Sequence, residues 1–521
     1  MNPPFALVKG MTRLFALAVC LMSSSLSAAD KPNIIIFIAD DLGYADIGVY
    51  GCNDIPTPHV DAIANNGVRF TDGYATHPVC SPSRAGLMSG MYQHRFGFEH
   101  NSGPERYASP NFGMPREIPC LAEKLKGAGY ATCMVGKWHI GFNEGLRPHE
   151  RGFDHTFAFH SGARSFFPEN PPRNPLYRNG TTVDEKFDYI TDAFAREAVE
   201  FVSRSEGKPF FLYFPFNAVH SPLEATDKYQ DRFPHITNRK RKTYAGMLSA
   251  LDDAVGSVMA KVRELGQEEN TLVMFYSDNG GPTAATTSRN DPLRGYKGQM
   301  FEGGIRVPFA MQWKGTIPAG QTYREMVMGF DCHATALAAA GVGLDDNKRL
   351  DGVNLLPFLT GKANGHPHEK LFWRAGRQHA ARVGDWKLVE IPQLGDAMLF
   401  NLRDDIAEQH DLTASHREKL KELQAAFAEW EQGTIEAKWM RQDQRNAEPG
   451  GKPKADATPR RRRPAANRID GAFKAADANG DGKLSRDEYP RPGVFNAVDV
   501  NKDGFATPEE VRAYFRNRRG N

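Results

Sequence analysis

Residues 33–51 read NIIIFIADDLGYADIGVYG, and their opening run decides the fold. An unbroken apolar stretch, residues 34–39, stops abruptly at Asp40-Asp41. Side chains of a strand point alternately to two faces, so a run with no polar position fits a strand buried on both of them. The same texture recurs at residues 130–135, ending in Gly136-Lys137-Trp138-His139, and at 210–216, ending in Asn217-Ala218-Val219-His220. It appears again at residues 271–276, ending in Ser277-Asp278-Asn279-Gly280. Helical stretches lie between these runs, at residues 121–128 behind Pro119, 188–205 and 242–265. Strands alternating with helices predict an α/β sheet sandwiched by helices, with its ligand site beyond the carboxyl ends of the strands. The acids, lysine and histidines that end the runs would gather there.

Beyond residue 356 short strand-like pieces at 371–374, 380–390 and 398–402 precede a helical run at 414–431, which predicts a smaller antiparallel-sheet subdomain. Residues 446–466 are rich in Pro, Gly and Lys, carry Arg460 to Arg463, and read as a flexible linker. Those arginines are a solvated spacer or a contact for acidic polysaccharide. The expected organisation is a signal peptide at 1–29, a catalytic domain at 30–356, a C-terminal subdomain at 357–445, the linker, and an α-helical calcium module at 467–517.

The module is visible as a repeat. Asp477, Asn479, Asp481, Lys483 and Glu488 are matched by Asp499, Asn501, Asp503, Phe505 and Glu510. Oxygen side chains take loop positions 1, 3, 5, 9 and 12, with Ser485 or Thr507 at 9, the backbone of Lys483 or Phe505 serves at 7, and Gly482 or Gly504 stands at 6 where an EF-hand loop turns sharply. Two matches in tandem predict a pair of Ca²⁺ sites. A dockerin-like module is the nearer rival, and it would usually lack glutamate at the last position.

Export is read from the first thirty residues. Lys9 and Arg13 precede an apolar run at 14–22 and small residues at 23–29, a signal peptide cleaved after Ala29. No run reaches the roughly 20 apolar residues of a membrane span. The expectation is a periplasmic or secreted protein without a transmembrane segment. A formal charge of +2 gives no reason for a nucleic-acid partner. Cleavage leaves five cysteines, Cys52, Cys80, Cys120, Cys133 and Cys332, an odd number that leaves at least one thiol unpaired.

Cys80 is the candidate, because it opens CSPSRAGLMSG at residues 80–90. Asp40, Asp41, Asp278 and Asn279 supply hard oxygen ligands, while Lys137, His139, His220 and Lys297 supply positive charge and proton transfer. That collection suits cleavage of an anionic ester. With VGKWHIG at 135–141, YSDNGG at 276–281 and LRGYKGQMFEGGIRVP at 293–308, residues 30–435 resemble a type I sulfatase of the arylsulfatase and N-acetylgalactosamine-6-sulfatase kind, a formylglycine-dependent member of the alkaline phosphatase superfamily.

The resemblance implies that a formylglycine-generating maturation enzyme reads Cys80, Pro82 and Arg84 and converts Cys80 to Cα-formylglycine. One hydroxyl of the hydrated aldehyde would attack sulfur and release the alcohol, and loss of the second hydroxyl's proton would expel sulfate. Asp40, Asp41, Asp278, Asn279 and the residue at Cys80 would surround Ca²⁺. Arg84 would orient the diol, and Lys137 and Lys297 would clamp sulfate oxygens. His139 would take the diol proton, and His220, with Lys297, would protonate the leaving alcohol. His94, Arg95, His160 and Arg164 are further candidates for gripping substrate. Met88-Ser89-Gly90 and the stretch at 151–163 depart from the commonest family pattern, which leaves conversion efficiency and pocket shape open. The implied substrate is a sulfated polysaccharide-derived carbohydrate. Rivals are a formylglycine-dependent phosphonate or phosphodiester hydrolase and a non-catalytic calcium-binding surface protein. The tail is expected either to lock onto the catalytic body or to attach the protein to a surface or matrix.

Overall fold

A computed structural model describes residues 31–103, 111–169, 172–184, 186–205, 207–344 and 350–439, and in the tail 473, 476–477, 481–486, 488–489 and 495–517. The leader at 1–29, the linker at 446–466 and Asn479 lie outside the described residues. Two compact units divide the chain, Met1–Arg441 and Gln442–Asn521.

In the first unit the strands are β1 (Asn33–Ala39), β2 (Val68–Phe70), β3 (Gly73–Tyr74), β4 (Ala131–Lys137), β5 (His155–Phe159), β6 (Leu176–Arg178), β7 (Thr181–Val183), β8 (Phe210–Pro215), β9 (Thr271–Ser277), β10 (Phe309–Gln312), β11 (Gln321–Tyr323) and β12 (Val327–Met328). Ten of them form one sheet in the order β11-β2-β10-β9-β1-β8-β4-β5-β6-β7. β9, β1, β8, β4 and β5 run parallel, with Ile36 opposite both Tyr213 and Met274. The alternation of β1 explains its unbroken apolar run. Ile35 and Phe37 enter one core with the helices Pro58–Asn65, Ile190–Arg204 and Arg239–Glu264, and Ile34, Ile36 and Ile38 enter a second core with Cys80–Ser89, Leu121–Gly127 and Asp331–Ala339. Because the strands are parallel, Asp40, Lys137 and Asp278 emerge at one edge of the sheet.

The smaller sheet expected after residue 356 is present as an antiparallel meander, β13 (Lys370–Ala375), β14 (Gln378–Val383), β15 (Trp386–Glu390) and β16 (Met398–Asn401). The stretch read as one piece at 380–390 is two strands joined at Gly384, whose φ of +55° suits glycine in the turn. This sheet belongs to the first compact unit. Trp373, fully buried, packs at 5.1 Å from the Tyr74 ring, and its indole N–H donates to Ala75 O at 2.8 Å. The helix Arg417–Glu431 covers it.

One helix of the first unit is capped from a distance. Thr57, before Pro58–Asn65, makes no side-chain cap, and the carboxylate of Asp252 accepts the N–H groups of His59 (3.1 Å) and Val60 (2.8 Å) instead. Burial, reinforced by Asp61 and Asp253, pushes this carboxyl up to about 7 despite those two donors. Its folded pKa therefore exceeds the unfolded value of about 3.9, the native state holds the extra proton, and the carboxyl's contribution to stability falls as pH rises from about 4 to about 7. Asp252→Ala should cost about 1–3 kcal/mol in urea unfolding, the scale of stranded buried donors. Asp252→Asn should recover most of it and flatten the pH dependence.

Cys52, Cys120, Cys133 and Cys332 are free thiols, as is Cys80. In the tail, β17 (Leu484–Ser485) pairs antiparallel with β18 (Phe505–Ala506), so the two acidic loops lie back to back over Phe473, Phe495 and Val498. Gly482 and Gly504 have φ of +80° and +86°, and their N–H groups donate to Asp477 and Asp499 at 2.9 and 3.0 Å. Among the described residues no helix is long and apolar enough to cross a membrane.

Candidate active site

Cys80 is the first residue of the helix Cys80–Ser89, where unpaired backbone N–H groups favour negative charge, and it is fully buried. Its Sγ lies 3.3 Å from Asp40 Oδ1 and 3.9 Å from Asp41 Oδ1, and Lys297 Nζ stands 3.2 Å away. Lys297 also donates to Asp41 Oδ1 at 2.6 Å, which fixes a loop lysine in the cluster. Lys137, the last residue of β4 and wholly buried, donates to Asp40 Oδ2 at 2.6 Å. One turn into the helix from Cys80, Arg84 reaches Asp278 Oδ2 with Nε at 2.8 Å and the Lys137 carbonyl with Nη1 at 3.0 Å. Asn279 Nδ2 donates to Asp41 Oδ1 at 2.7 Å. His220 presents Nε2 at 3.6 Å from Asp41 Oδ2, and its Nδ1 lies 2.6 Å from Ser221 O. The structure therefore brings together Asp40, Asp41, Cys80, Arg84, Lys137, His220, Asp278, Asn279 and Lys297.

His139 sits beside this cluster. Its backbone N–H donates to His160 O at 3.1 Å, its Nε2 is 3.0 Å from Ser102 O, and its Nδ1 is buried without a partner. Two residues that the sequence did not single out hold it: Ser102 Oγ donates to its carbonyl at 3.0 Å, and Ser81 Oγ to the same oxygen. Ser81 lies inside the CSPSR stretch, where an unassigned hydroxyl next to Cys80 was the available signal. Ser102 carried none.

Opposite charges set the electrostatics. Burial would raise Asp40, but Lys137, His220, Arg84 and Lys297 together hold it well below the ordinary carboxylate range. Burial and the Asp40 charge push Asp278 upward. Burial raises the Cys80 thiol far above its usual value, and burial with Lys137 and Arg84 keeps His139 neutral, well below the normal range.

The donor set could hold a metal ion. One oxygen each from Asp40 and Asp41, Cys80 Sγ and a His220 nitrogen lie within 4.8 Å of one another. Asn279 Oδ1 is buried among them with no hydrogen-bond partner, an acceptor left for an ion.

The four further candidates for substrate contact are not in this cluster. Arg95 is tied to Asp351 through Nε at 2.7 Å and Nη2 at 2.5 Å, and His94 Nε2 is engaged by the Arg374 carbonyl at 2.8 Å. His94 thereby meets the smaller sheet at β13, and the Arg95 guanidinium is engaged by Asp351. His160 stacks on Tyr177 at 4.3 Å, and Arg164 lines a cavity with Phe187 and Tyr189.

Comparison with known proteins gives the family. The sulfatase family model matches residues 32–342, the model of the N-sulphoglucosamine sulphohydrolase C-terminal region matches 296–432, and the EF-hand model matches 469–489 and 493–515. The N-acetylgalactosamine-6-sulfatase of Sus scrofa is 34% identical over 384 residues, 69% of this chain and 72% of that protein. Among solved structures, Ps i-CgsB in complex with k-i-k-neocarrahexaose is 36% identical with a TM-score of 0.75, covering 80% of this chain and 96% of that one. The PsFucS1 sulfatase from Pseudoalteromonas sp. is 27% identical with a TM-score of 0.67, covering 78% and 91%. The chain belongs to the sulfatase family, and it is a sulfuric ester hydrolase with an EF-hand region at its C-terminus.

Proposed function

We propose that the protein is an exported sulfatase that removes sulfate esters from sulfated glycan oligosaccharides, with a formylglycine made from Cys80 by a maturation enzyme and a Ca²⁺ ion as its working groups. The observation that carries this reading is the position of Cys80 Sγ between the Asp40 carboxylate and the Lys297 ammonium, 3.3 and 3.2 Å away, at a helix N-terminus. Formylglycine supplies a hydrated aldehyde whose one hydroxyl attacks and whose other opens a route for releasing sulfate. Asp40, Asp41, Asp278 and Asn279 would hold Ca²⁺, which lends positive charge to a sulfate oxygen.

The chain's own residues do the rest. Arg84, anchored on Asp278, fixes the helix start and the orientation of the nucleophile. Lys137 and Lys297 clamp sulfate oxygens and offset charge that builds up on them. His220 leans its Nδ1 on the Ser221 carbonyl, which turns Nε2 toward Asp41 and the site, and only as an imidazolium, protonated on Nε2 as well, does it give a proton to the departing alcohol. His139, neutral and with Nδ1 unpartnered, accepts the proton that accompanies sulfate release. The complete set of charged groups favours catalysis over a calcium-binding surface role, and the N-acetylgalactosamine-6-sulfatase and neocarrahexaose-bound relatives support a sugar sulfate over a phosphodiester.

The test is sulfate release from k-i-k-neocarrahexaose, N-acetylgalactosamine 6-sulfate and 4-nitrophenyl sulfate by protein coexpressed with a formylglycine-generating enzyme. Calcium-dependent release from a sugar is expected, and faster cleavage of a phosphodiester such as bis(4-nitrophenyl) phosphate would contradict the reading. In the tail, EGTA should abolish hydrogen-exchange protection at the Gly482 and Gly504 amides, and exchange unchanged by EGTA would exclude calcium there.

A further inference from the structure

We infer that Tyr296 is a stacking platform for a sugar ring at the mouth of the site, and so a specificity-determining residue. The inference rests on the sugar-sulfate reading above. Tyr296 is 48% exposed, and among the described residues of the first compact unit no other Phe, Tyr or Trp is as exposed. Its ring and hydroxyl have no partner among the described residues. A lone exposed aromatic is ordinary on a protein surface. This one is the immediate neighbour of Lys297, whose ammonium is 3.2 Å from Cys80 Sγ. Consecutive Cα atoms are about 3.8 Å apart, so the Tyr296 backbone is one lysine length from the reacting position.

The turn that presents it is fixed. Gly295 and Gly298 flank it with φ of +86° and +87°, values that favour glycine. Gly298 N donates to Pro78 O at 2.8 Å, two residues before Cys80, and Gln378 Nε2 donates to Gly298 O at 2.8 Å. Gln299 N closes the turn on Tyr296 O at 3.0 Å. A rigid backbone that leaves its aromatic side chain in water beside a buried anion-binding centre has the layout of a contact made by ligand. The negative face of an aromatic ring attracts the C–H groups that line one face of a pyranose, while an anionic sulfate gains nothing from it. The sulfate would be held inside by the lysines, and the sugar that bears it, or the next one, would lie over Tyr296.

Binding is read without turnover by titration calorimetry on protein whose Cys80 is unconverted, with calcium present. Tyr296→Ala should weaken k-i-k-neocarrahexaose binding about tenfold, the scale of one aromatic stacking contact, leave inorganic sulfate binding unchanged, and leave thermal stability unchanged. Tyr296→Phe should match the wild type. In converted enzyme Tyr296→Ala should raise KM with kcat kept. Unchanged hexasaccharide binding in Tyr296→Ala overturns the inference and leaves the sulfatase reading standing. Equal weakening for sulfate would also overturn it, since that marks displacement of Lys297. Wild-type protein that binds sulfate but neither the hexasaccharide nor N-acetylgalactosamine 6-sulfate overturns the sugar reading and this inference together.

Discussion

Replacing Cys80 by alanine is expected to reduce sulfate release to background, a loss on the order of 10⁴-fold or more, the scale of removing a covalent nucleophile. The side chain is fully buried in a core-like environment, and alanine is smaller, so the fold should persist. Retained secondary structure and an unfolding midpoint near that of wild type would separate lost chemistry from lost structure. The informative partner is Cys80→Ser. A hydroxyl at that position can attack sulfur, but it has no second hydroxyl through which to expel sulfate. One equivalent of alcohol should appear in a burst, followed by a stall, where the alanine variant shows no burst. Multiple turnovers by Cys80→Ser, or activity in Cys80→Ala above about 1% of wild type, would remove Cys80 from the centre of the mechanism.

The second large effect is on stability. Lys387 on β15 is fully buried, with Nζ 2.8 Å from both Glu302 Oε1 and Glu408 Oε1. Glu302 also accepts from the Tyr74 hydroxyl at 2.7 Å and from Arg306 at 3.1 Å, and its own N–H donates to Glu408 Oε2 at 2.7 Å. Burial opposes ionisation of both carboxyls. Lys387 with Arg306 and Arg382 brings Glu302 down to about 2, and burial together with Glu302 sends Glu408 up to about 7. This network ties the smaller sheet to the loop following Lys297. Lys387→Met removes the shared cation and leaves two carboxyls facing each other out of water, which should cost about 3–5 kcal/mol in chemical unfolding. Adding Glu408→Gln to Lys387→Met should restore part of the loss, because the pair interacts directly. A change below about 1 kcal/mol in Lys387→Met would show that the network relaxes into solvent.

The main sheet was legible because its central strands are buried on both faces. A short unbroken apolar run that ends in polar residues fits a strand buried on both faces, and residues 34–39, 210–216 and 271–276 each match β1, β8 or β9 to within a residue or two. Strands β2, β6, β7, β11 and β12 have two or three residues each, too few for a period to show, and exist because neighbours already in place offer hydrogen bonds. Residues that end parallel strands were readable for a related reason, since topology sends Asp40, Lys137 and Asp278 to the same edge. Contacts set by tertiary packing were not. Arg95 looks free in the sequence, and its pairing with Asp351 requires the fold, as does the Lys387 network, whose members are 85 and 21 residues apart. Likewise Ser102 acquires its hold on His139 across 37 residues of chain.

The most direct test of the account is mass spectrometry of the peptide spanning Cys80, from protein purified from its own host or coexpressed with a formylglycine-generating enzyme and assayed in parallel for sulfate release. The account predicts a peptide about 18 Da lighter than the unmodified cysteine form, in proportion to the activity of each preparation. An unmodified Cys80 in a preparation that turns over sulfate esters at full rate would contradict it.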